Sequence, residues 1–275
     1  MRIRHWLGVL AVAAVALAGC SGPGGSGAAD GGPGQAGTTA TGSKPGPDKA
    51  PAEAARRTFA AGTARGWLKT VTTVEGLAPS TMTGSGTIDF RRKCSQMNIT
   101  IDSSGRKLTV LVIYDGAMVY EKLPPEMVGA STRPWIKLDL SKLLGSGAGD
   151  GQFGANDPGS VIAYLYGTDK ITEVGSEPVR GTPTTHYKGS IDPKRAAEQV
   201  PPESRDEYLK FLQETGSGEI MPADLWVDEQ GLIRRLQFQG EATVQGRHSA
   251  STTTIEYYDY GSPVTIQLPP PSEIR

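Results

Sequence analysis

The sequence is poor in the residues that catalysis, metal binding and nucleic-acid binding require. Its 275 residues include two cysteines and three histidines, and aromatic residues make up 7%. Two cysteines cannot form a disulfide framework or a four-ligand zinc site. The formal net charge of −1 lacks the basic excess of a nucleic-acid binder. We therefore expect no cofactor, no metal ion and no nucleic-acid partner.

Motifs of common enzyme classes are also missing. The sequence has no Gly-x-Ser-x-Gly, His-Glu-x-x-His or P-loop motif. His5 lies in the N-terminal segment, and His186 and His248 are expected on the surface of the folded part. Cys94 has no histidine near it in sequence that would activate its thiol, so a structural role is favoured and its role stays open. We therefore expect a protein that is not an enzyme.

The one long hydrophobic run stands at the start of the chain. Arg2 and Arg4 precede twelve apolar or small residues, Leu7 to Ala18. This run is too short to span a bilayer and is typical of a signal peptide. The sequence therefore predicts an exported protein whose residues 1–19 are removed.

The end of this run, Leu-Ala-Gly-Cys at positions 17–20, resembles the lipobox of bacterial lipoproteins. That resemblance implies cleavage between Gly19 and Cys20 and a diacylglyceryl group on the Cys20 sulfur. An ordinary secretory signal with an incidental cysteine is the alternative, which the placement of Cys20 disfavours. Because two acyl chains anchor a protein stably, we expect attachment to the outer face of the bacterial cytoplasmic membrane, in the cell envelope.

Glycine and proline are abundant, at 36 and 20 residues, and many of them follow Cys20. Residues 20–51 consist mainly of Gly, Pro, Ser, Ala and Thr, a composition that cannot bury enough apolar surface to fold. We therefore interpret 20–51 as the lipidated cysteine and a disordered tether. Residues 52–275 contain no second linker and are expected to form one domain.

Strand patterns dominate the predicted domain. Apolar Met97, Ile99 and Ile101 alternate with polar neighbours, as in a strand with one apolar face. Ser104-Gly105 and Asp115-Gly116 are typical hairpin turns. Helices are predicted over 52–64 and 157–165 and from Ser204 to Gly216, which begins with a capping box. About ten strands with few helices indicate an α+β antiparallel fold.

Several segments together resemble the LppX/LprG type of actinobacterial lipoproteins, which is similar in fold to LolA and LolB. The segments are 114–120 (Tyr-Asp-Gly to Val-Tyr), 134–139 (Pro-Trp-Ile-Lys-Leu-Asp), 174–187, 224–228 (Asp-Leu-Trp-Val-Asp) and 258–263. The resemblance implies a strongly curved antiparallel half-barrel sheet, with helices covering its concave face and an apolar cavity between them. It also implies that the protein binds acyl chains of lipids or glycolipids and carries them in the envelope.

The residues expected to line that cavity lie on the apolar faces of the predicted strands: Ile88, Phe90, Met97, Ile99, Ile101, Val110, Val112, Leu236 and Phe238. Stripes of this kind also form an ordinary core. Gly84 and Gly86 could let a strand bend or leave room for a ligand. The Gly-rich segment 145–159 is a candidate flap at the cavity mouth, or a surface loop.

A second hypothesis uses the same fold differently. An envelope sensor or scaffold would bind a protein or peptide partner, and its interior would be filled by its own side chains. A lipid carrier instead needs an apolar space that opens to the surface. The sequence identifies neither the cargo nor its donor and acceptor.

Overall fold

A computed structural model describes residues 50–129, 131–139, 158–199, 205, 209, 220–244 and 246–275. The predicted signal peptide, Cys20 and nearly all of the predicted tether lie outside the described residues. Within these ranges, eleven strands follow one another: β1 (Thr63–Val74), β2 (Ser80–Asp89), β3 (Cys94–Ser103), β4 (Arg106–Asp115), β5 (Met118–Lys122), β6 (Trp135–Asp139), β7 (Thr168–Val179), β8 (Thr182–Ile191), β9 (Met221–Asp228), β10 (Ile233–Val244) and β11 (Arg247–Tyr258).

All eleven strands form one antiparallel sheet in the order β6-β5-β4-β3-β2-β1-β11-β10-β9-β8-β7. Each half is a meander in which consecutive strands are neighbours, and β1 pairs with β11 to join the two halves. The sheet is not closed, because β6 and β7 are its two outermost strands. The prediction of a large antiparallel sheet of about ten strands is thus confirmed.

Tight turns fix the register of the hairpins. Ser104 and Gly105 both have positive φ, 52° and 76°, as the two-residue turn between β3 and β4 requires. Arg180 and Gly181 repeat this geometry between β7 and β8, with φ of 50° and 79°. Because side chains alternate along a strand, each fixed register places all the apolar positions on the same face.

Helices are short and few among the described residues. Helix α1 (Ala50–Ala60) begins two residues before the predicted helix and ends four residues earlier, because Gly62 has φ of 83° and β1 follows at once. The helix expected over 157–165 is a 3₁₀-helix, Ser160–Gly167. The remaining helical segments are α2 (Pro125–Val128), α3 (Pro193–Ala196) and the 3₁₀ turns Ala197–Gln199 and Pro271–Glu273. Of the helix expected after Ser204, only Arg205 and Leu209 lie among the described residues.

Helix α1 and Ser160–Gly167 pack on one face of the sheet, and their residues share an apolar cluster with nine of the strands. We call this the inner face and the opposite one the outer face. One hydrogen bond adds to this attachment of α1: the Ile233 amide donates to Thr58 Oγ1 at 3.1 Å. The Tyr260 hydroxyl donates to the carbonyl of the same Ile233. Burial raises the pKa of the Tyr260 phenol, which therefore remains a donor.

The end of the chain lies across the outer face of β3–β6. Ile266 packs against Cys94, Ile113 and Tyr120, and Ile274 forms a parallel bridge with Trp135 on β6. The Arg275 amide donates to the Trp135 carbonyl at 2.9 Å. We call residues 263–275 the C-terminal strap. It covers the Cys94 thiol and occupies part of the free edge of β6.

Replacing Ile266 with Ala should make the Cys94 thiol more reactive. The loss of about 2 kcal/mol of apolar burial would make local opening of the strap about 30-fold more frequent. The measurement is the rate of labelling by a thiol-specific disulfide reagent, in a chain carrying Cys20→Ala so that Cys94 is the only thiol. Leu268→Ala is the control, because Leu268 is 41% exposed. Equal labelling rates in both variants would show that Ile266 does not hold the strap closed.

Candidate functional site

The inner face carries an unbroken row of apolar or small residues across eight strands. The strand registers align these residues from β8 to β4 in spatial order: Tyr187, Leu225, Leu236, Ile255, Leu68, Gly84, Ile99 and Val110. Every member is buried. This row is the centre of the apolar cluster.

The helical elements cover the middle of the inner face. Tyr164 packs edge-on against Phe238 of β10, with ring centroids 6.2 Å apart. Tyr257 of β11 donates a 2.6 Å hydrogen bond to the Pro158 carbonyl. Phe59 of α1 meets Phe90 in the same edge-on geometry at 5.8 Å. The chain's own side chains therefore fill this part of the inner face.

The nine residues expected to line a cavity all belong to this one cluster. Eight are buried, and Ile101 is partly buried and packs against the cluster. Phe90 and Phe238 contact the helical elements directly, as described above. Met97, Ile99, Val110 and Val112 lie on β3 and β4, toward the β6 edge. Residues gathered in this way can form a core or line a cavity, so their role as ligand contacts stays a prediction.

Apolar side chains remain partly exposed where the inner face reaches β3–β6. Ile101 and Leu108 are half-buried and lie opposite each other on β3 and β4. Ile136 is also half-buried, and Leu138 is 37% exposed. We call these four residues, with Ile99, Val110 and Val112, the β3–β6 apolar surface. The candidate flap 145–159 lies outside the described residues, apart from its last two.

Gly84 and Gly86 do not leave room for a ligand. A Cβ atom on Gly84 would lie 3.2 Å from Leu68 Cγ, and one on Gly86 would lie 1.9 Å from the Gln96 carbonyl oxygen. Both spaces are already filled by the sheet's own atoms. The geometry supports a role that was not predicted, which is the close packing of β2 against its neighbours.

One carboxyl group interrupts the β3–β6 apolar surface. Glu121 lies on β5 directly between Val112 of β4 and Ile136 of β6. Burial raises the pKa of this carboxyl group. Glu121 was not among the site residues predicted from the sequence. The sequence signal for its position is the alternation of side chains along the strand that follows the Asp115-Gly116 turn. Glu121 comes two residues after Val119 on that strand, so the two side chains lie on the same face.

The outer face of β8–β11 carries a different arrangement, in which aromatic rings and charged groups are paired. Arg235 donates to Glu256 at 2.8 Å and lies over the ring of Trp226. The His186 ring stacks on the Trp226 ring, with the ring centroids 4.2 Å apart, and His186 Nε2 is 2.7 Å from Asp224 Oδ1. His186 therefore lies on the polar face, as expected, but these contacts make it part of the sheet's packing.

Within the described ranges, no group of three His, Cys, Asp or Glu residues is arranged to hold a metal ion. No helix found there has the length and apolar character needed to cross a membrane. His248 is exposed on β11. The described part of the site thus offers apolar surface and one carboxyl group.

Comparisons with known proteins find two relatives in Streptomyces. A 31.2 kDa protein of Streptomyces griseus, encoded between rplA and rplJ, is 27% identical over 146 residues, which cover 50% of this chain and 47% of that protein. A Streptomyces coelicolor protein described as a "Putative lipoprotein" is 28% identical over 153 residues, which cover 54% of this chain and 43% of that protein. The chain thus matches about half the length of each relative. No family model matches the sequence.

Solved structures provide a second comparison. Lipoprotein LppX of Mycobacterium tuberculosis has a TM-score of 0.46 at 16% identity, covering 79% of this chain and 98% of LppX. LprF of Mycobacterium bovis has a TM-score of 0.39 at 13% identity, covering 81% of this chain and 96% of LprF. A LolA-superfamily protein of Nitrosomonas europaea has a TM-score of 0.31 at 11% identity, covering 78% and 91%. LppX, LprF and a LolA-superfamily protein are thus among the structural neighbours of this chain.

Proposed function

We propose that the protein is a membrane-anchored lipoprotein of the cell envelope that binds the acyl chains of a lipid or glycolipid and carries them without chemical change. The observation that carries this proposal is the β3–β6 apolar surface, which continues from a buried core and stays partly exposed at Ile101, Leu108, Ile136 and Leu138. In the proposed bound state, acyl chains complete the burial of these side chains. Each methylene buried would contribute about 0.8 kcal/mol.

The proposed site lies beside the helical elements. In this proposal the sheet is curved, α1 and Ser160–Gly167 cover part of its concave face, and the acyl chains lie on the uncovered part toward β6. Met97, Ile99, Ile101, Val110 and Val112 would then contact ligand, and Ile88, Phe90, Leu236 and Phe238 would form the neighbouring wall. A ligand in this place contacts side chains that already pack against the apolar core on one side, so its binding requires little rearrangement of the core.

The proposed anchor is the acylated Cys20, with residues 20–51 as its tether. The Streptomyces coelicolor relative, whose description contains the word lipoprotein, supports this assignment. A tether of about thirty flexible residues would span on the order of 30 Å. The domain could then approach the membrane surface and withdraw from it while remaining anchored.

Mass spectrometry of the native protein tests this function most directly. The protein is extracted from membranes and measured intact, and then again after extraction with organic solvent. A co-purifying lipid that solvent removes is the expected result, and its head group identifies the cargo class. If the protein is free of ligand and its mass does not change on incubation with envelope lipids, the lipid-carrier proposal is wrong. A protein-binding sensor or scaffold would then explain the fold better.

Cys20→Ala should abolish membrane attachment. The substitution removes the sulfur that would carry the diacylglyceryl group, so the chain should be released into the medium or remain unprocessed. Fractionation followed by immunoblotting measures this distribution, with Cys94→Ala as the matched cysteine control. Membrane retention of a processed Cys20→Ala chain would contradict the anchor.

Val112→Trp should reduce lipid occupancy while leaving the protein folded. Val112 is buried between Met97 and Glu121 on the inner face, so the larger side chain would take up the space of several methylenes. Overpacking costs about 1–3 kcal/mol, and thermal unfolding measures that cost beside the lipid content. Thr109→Trp is the control, because Thr109 is exposed on the other face of β4. Equal lipid content in the two folded variants would remove Val112 from the site.

A further inference from the structure

Glu121 carries the one carboxyl group among the described strand residues on the inner face of β1–β6. Alternation along these strands places Ala, Gly, Leu, Thr, Val, Ser, Met, Ile and Tyr residues on that face. Among the described strand residues there, the only charged side chains are Glu121 and Arg106, and Arg106 is the exposed first residue of β4. A carboxyl group among aliphatic side chains costs free energy unless something is hydrogen-bonded to it.

No cation from the neighbouring strands offsets that cost. Lys122 and Lys137 lie on the outer face, where each ammonium group is 5.7 Å from the centre of an aromatic ring, of Trp135 and Tyr120 respectively. The other titratable groups on the inner face of β4–β6 are Tyr114, diagonal to Glu121, and Arg106, which is six residues along β4 from Val112, the residue paired with Glu121. The described surroundings of the Glu121 carboxyl group are therefore apolar and without positive charge.

We propose that Glu121 is the polar contact of the lipid site, and that its carboxyl group hydrogen-bonds to the hydroxyl groups of an uncharged head group whose acyl chains lie on the β3–β6 apolar surface. Sugar and glycerol head groups share this chemistry. The inference rests on the proposed function and makes it more specific, because it assigns one residue to the head group and the aliphatic residues to the chains.

The electrostatics favour an uncharged head group over the charged alternatives. An anionic phosphate would face the carboxyl group with no basic side chain beside it among the described strands. A cationic amine would require the ionised carboxylate, and burial raises the pKa of this group and so favours its neutral form. A neutral carboxyl group both donates and accepts hydrogen bonds. Hydroxyl groups do the same, so the two are complementary.

The test compares Glu121→Gln, which keeps a neutral donor and acceptor, with Glu121→Leu, which keeps the size but removes both. Glu126→Leu is the control, because Glu126 is an exposed carboxylate on α2. All are made in the full chain carrying Cys20→Ala, so that no acyl anchor competes for the site. Four short-chain probes are titrated by calorimetry: dioctanoyl monogalactosylglycerol, dioctanoylglycerol, dioctanoyl phosphatidylethanolamine and methyl laurate.

We expect Glu121→Gln to bind the galactolipid within about twofold of the parent chain. Glu121→Leu should bind it about tenfold more weakly, the effect of losing one hydrogen bond. Methyl laurate, which has no hydroxyl group, should bind equally to the parent chain and to all three variants. Comparison with dioctanoylglycerol, which has a single hydroxyl group, then separates a sugar from a glycerol as the preferred partner.

Three results would overturn the inference, and they differ in what they leave standing. If Glu121→Leu binds the galactolipid as tightly as the parent, Glu121 is not the head-group contact, although the acyl site remains. If phosphatidylethanolamine binds best and both Glu121 variants lose it equally, the contact is ionic. If neither the parent chain nor any variant binds methyl laurate or the galactolipid, the proposed function fails together with the inference.

Discussion

The pairing of β1 with β11 holds the two halves of this protein together. Ten residue pairs, from Arg65–Tyr258 to Val74–Ser249, connect the beginning of the described chain to its end. Without this pairing, β1 and β11 would each have a free edge at the centre of the sheet, and the apolar row across the inner face would be cut between Ile255 and Leu68. Because these contacts join residues far apart in sequence, the inner face forms only when most of the chain has folded.

The exposed edges of the two outermost strands are protected against pairing with another strand in different ways. At β6 the C-terminal strap adds a bridge through Ile274 and so occupies part of the edge. At β7 the register shifts twice, and Pro178 lies near the end of the strand. Bulges and prolines make an edge a poor template for another strand. These features make both edges of the described sheet poor templates for a further strand.

Much of the fold was predictable because it depends on short-range patterns. Alternation placed Met97, Ile99 and Ile101 on one face, and the Ser104-Gly105 turn has the positive φ that its sequence indicates. The end of α1 was predicted four residues too late, because alanines continue the helical pattern while the pairing of β1 begins at Thr63. The packing of the strap on the sheet was not predicted, since its contacts with Cys94 and Trp135 join distant residues and leave no periodic signal.

The candidate site was harder to predict because burial alone does not distinguish a core from a ligand site. Alternation finds Val112 and Phe238 equally well, yet Phe238 contacts Tyr164, whereas Val112 lies next to Glu121 and the partly exposed end of the face. Only the positions of the helical elements separate the two environments. The aliphatic side chains would supply affinity in proportion to the chain length that they bury, with little preference among lipids of equal length. In the proposed function, discrimination between lipids therefore has to come from a polar group within that surface, and Glu121 lies there, between Val112 and Ile136.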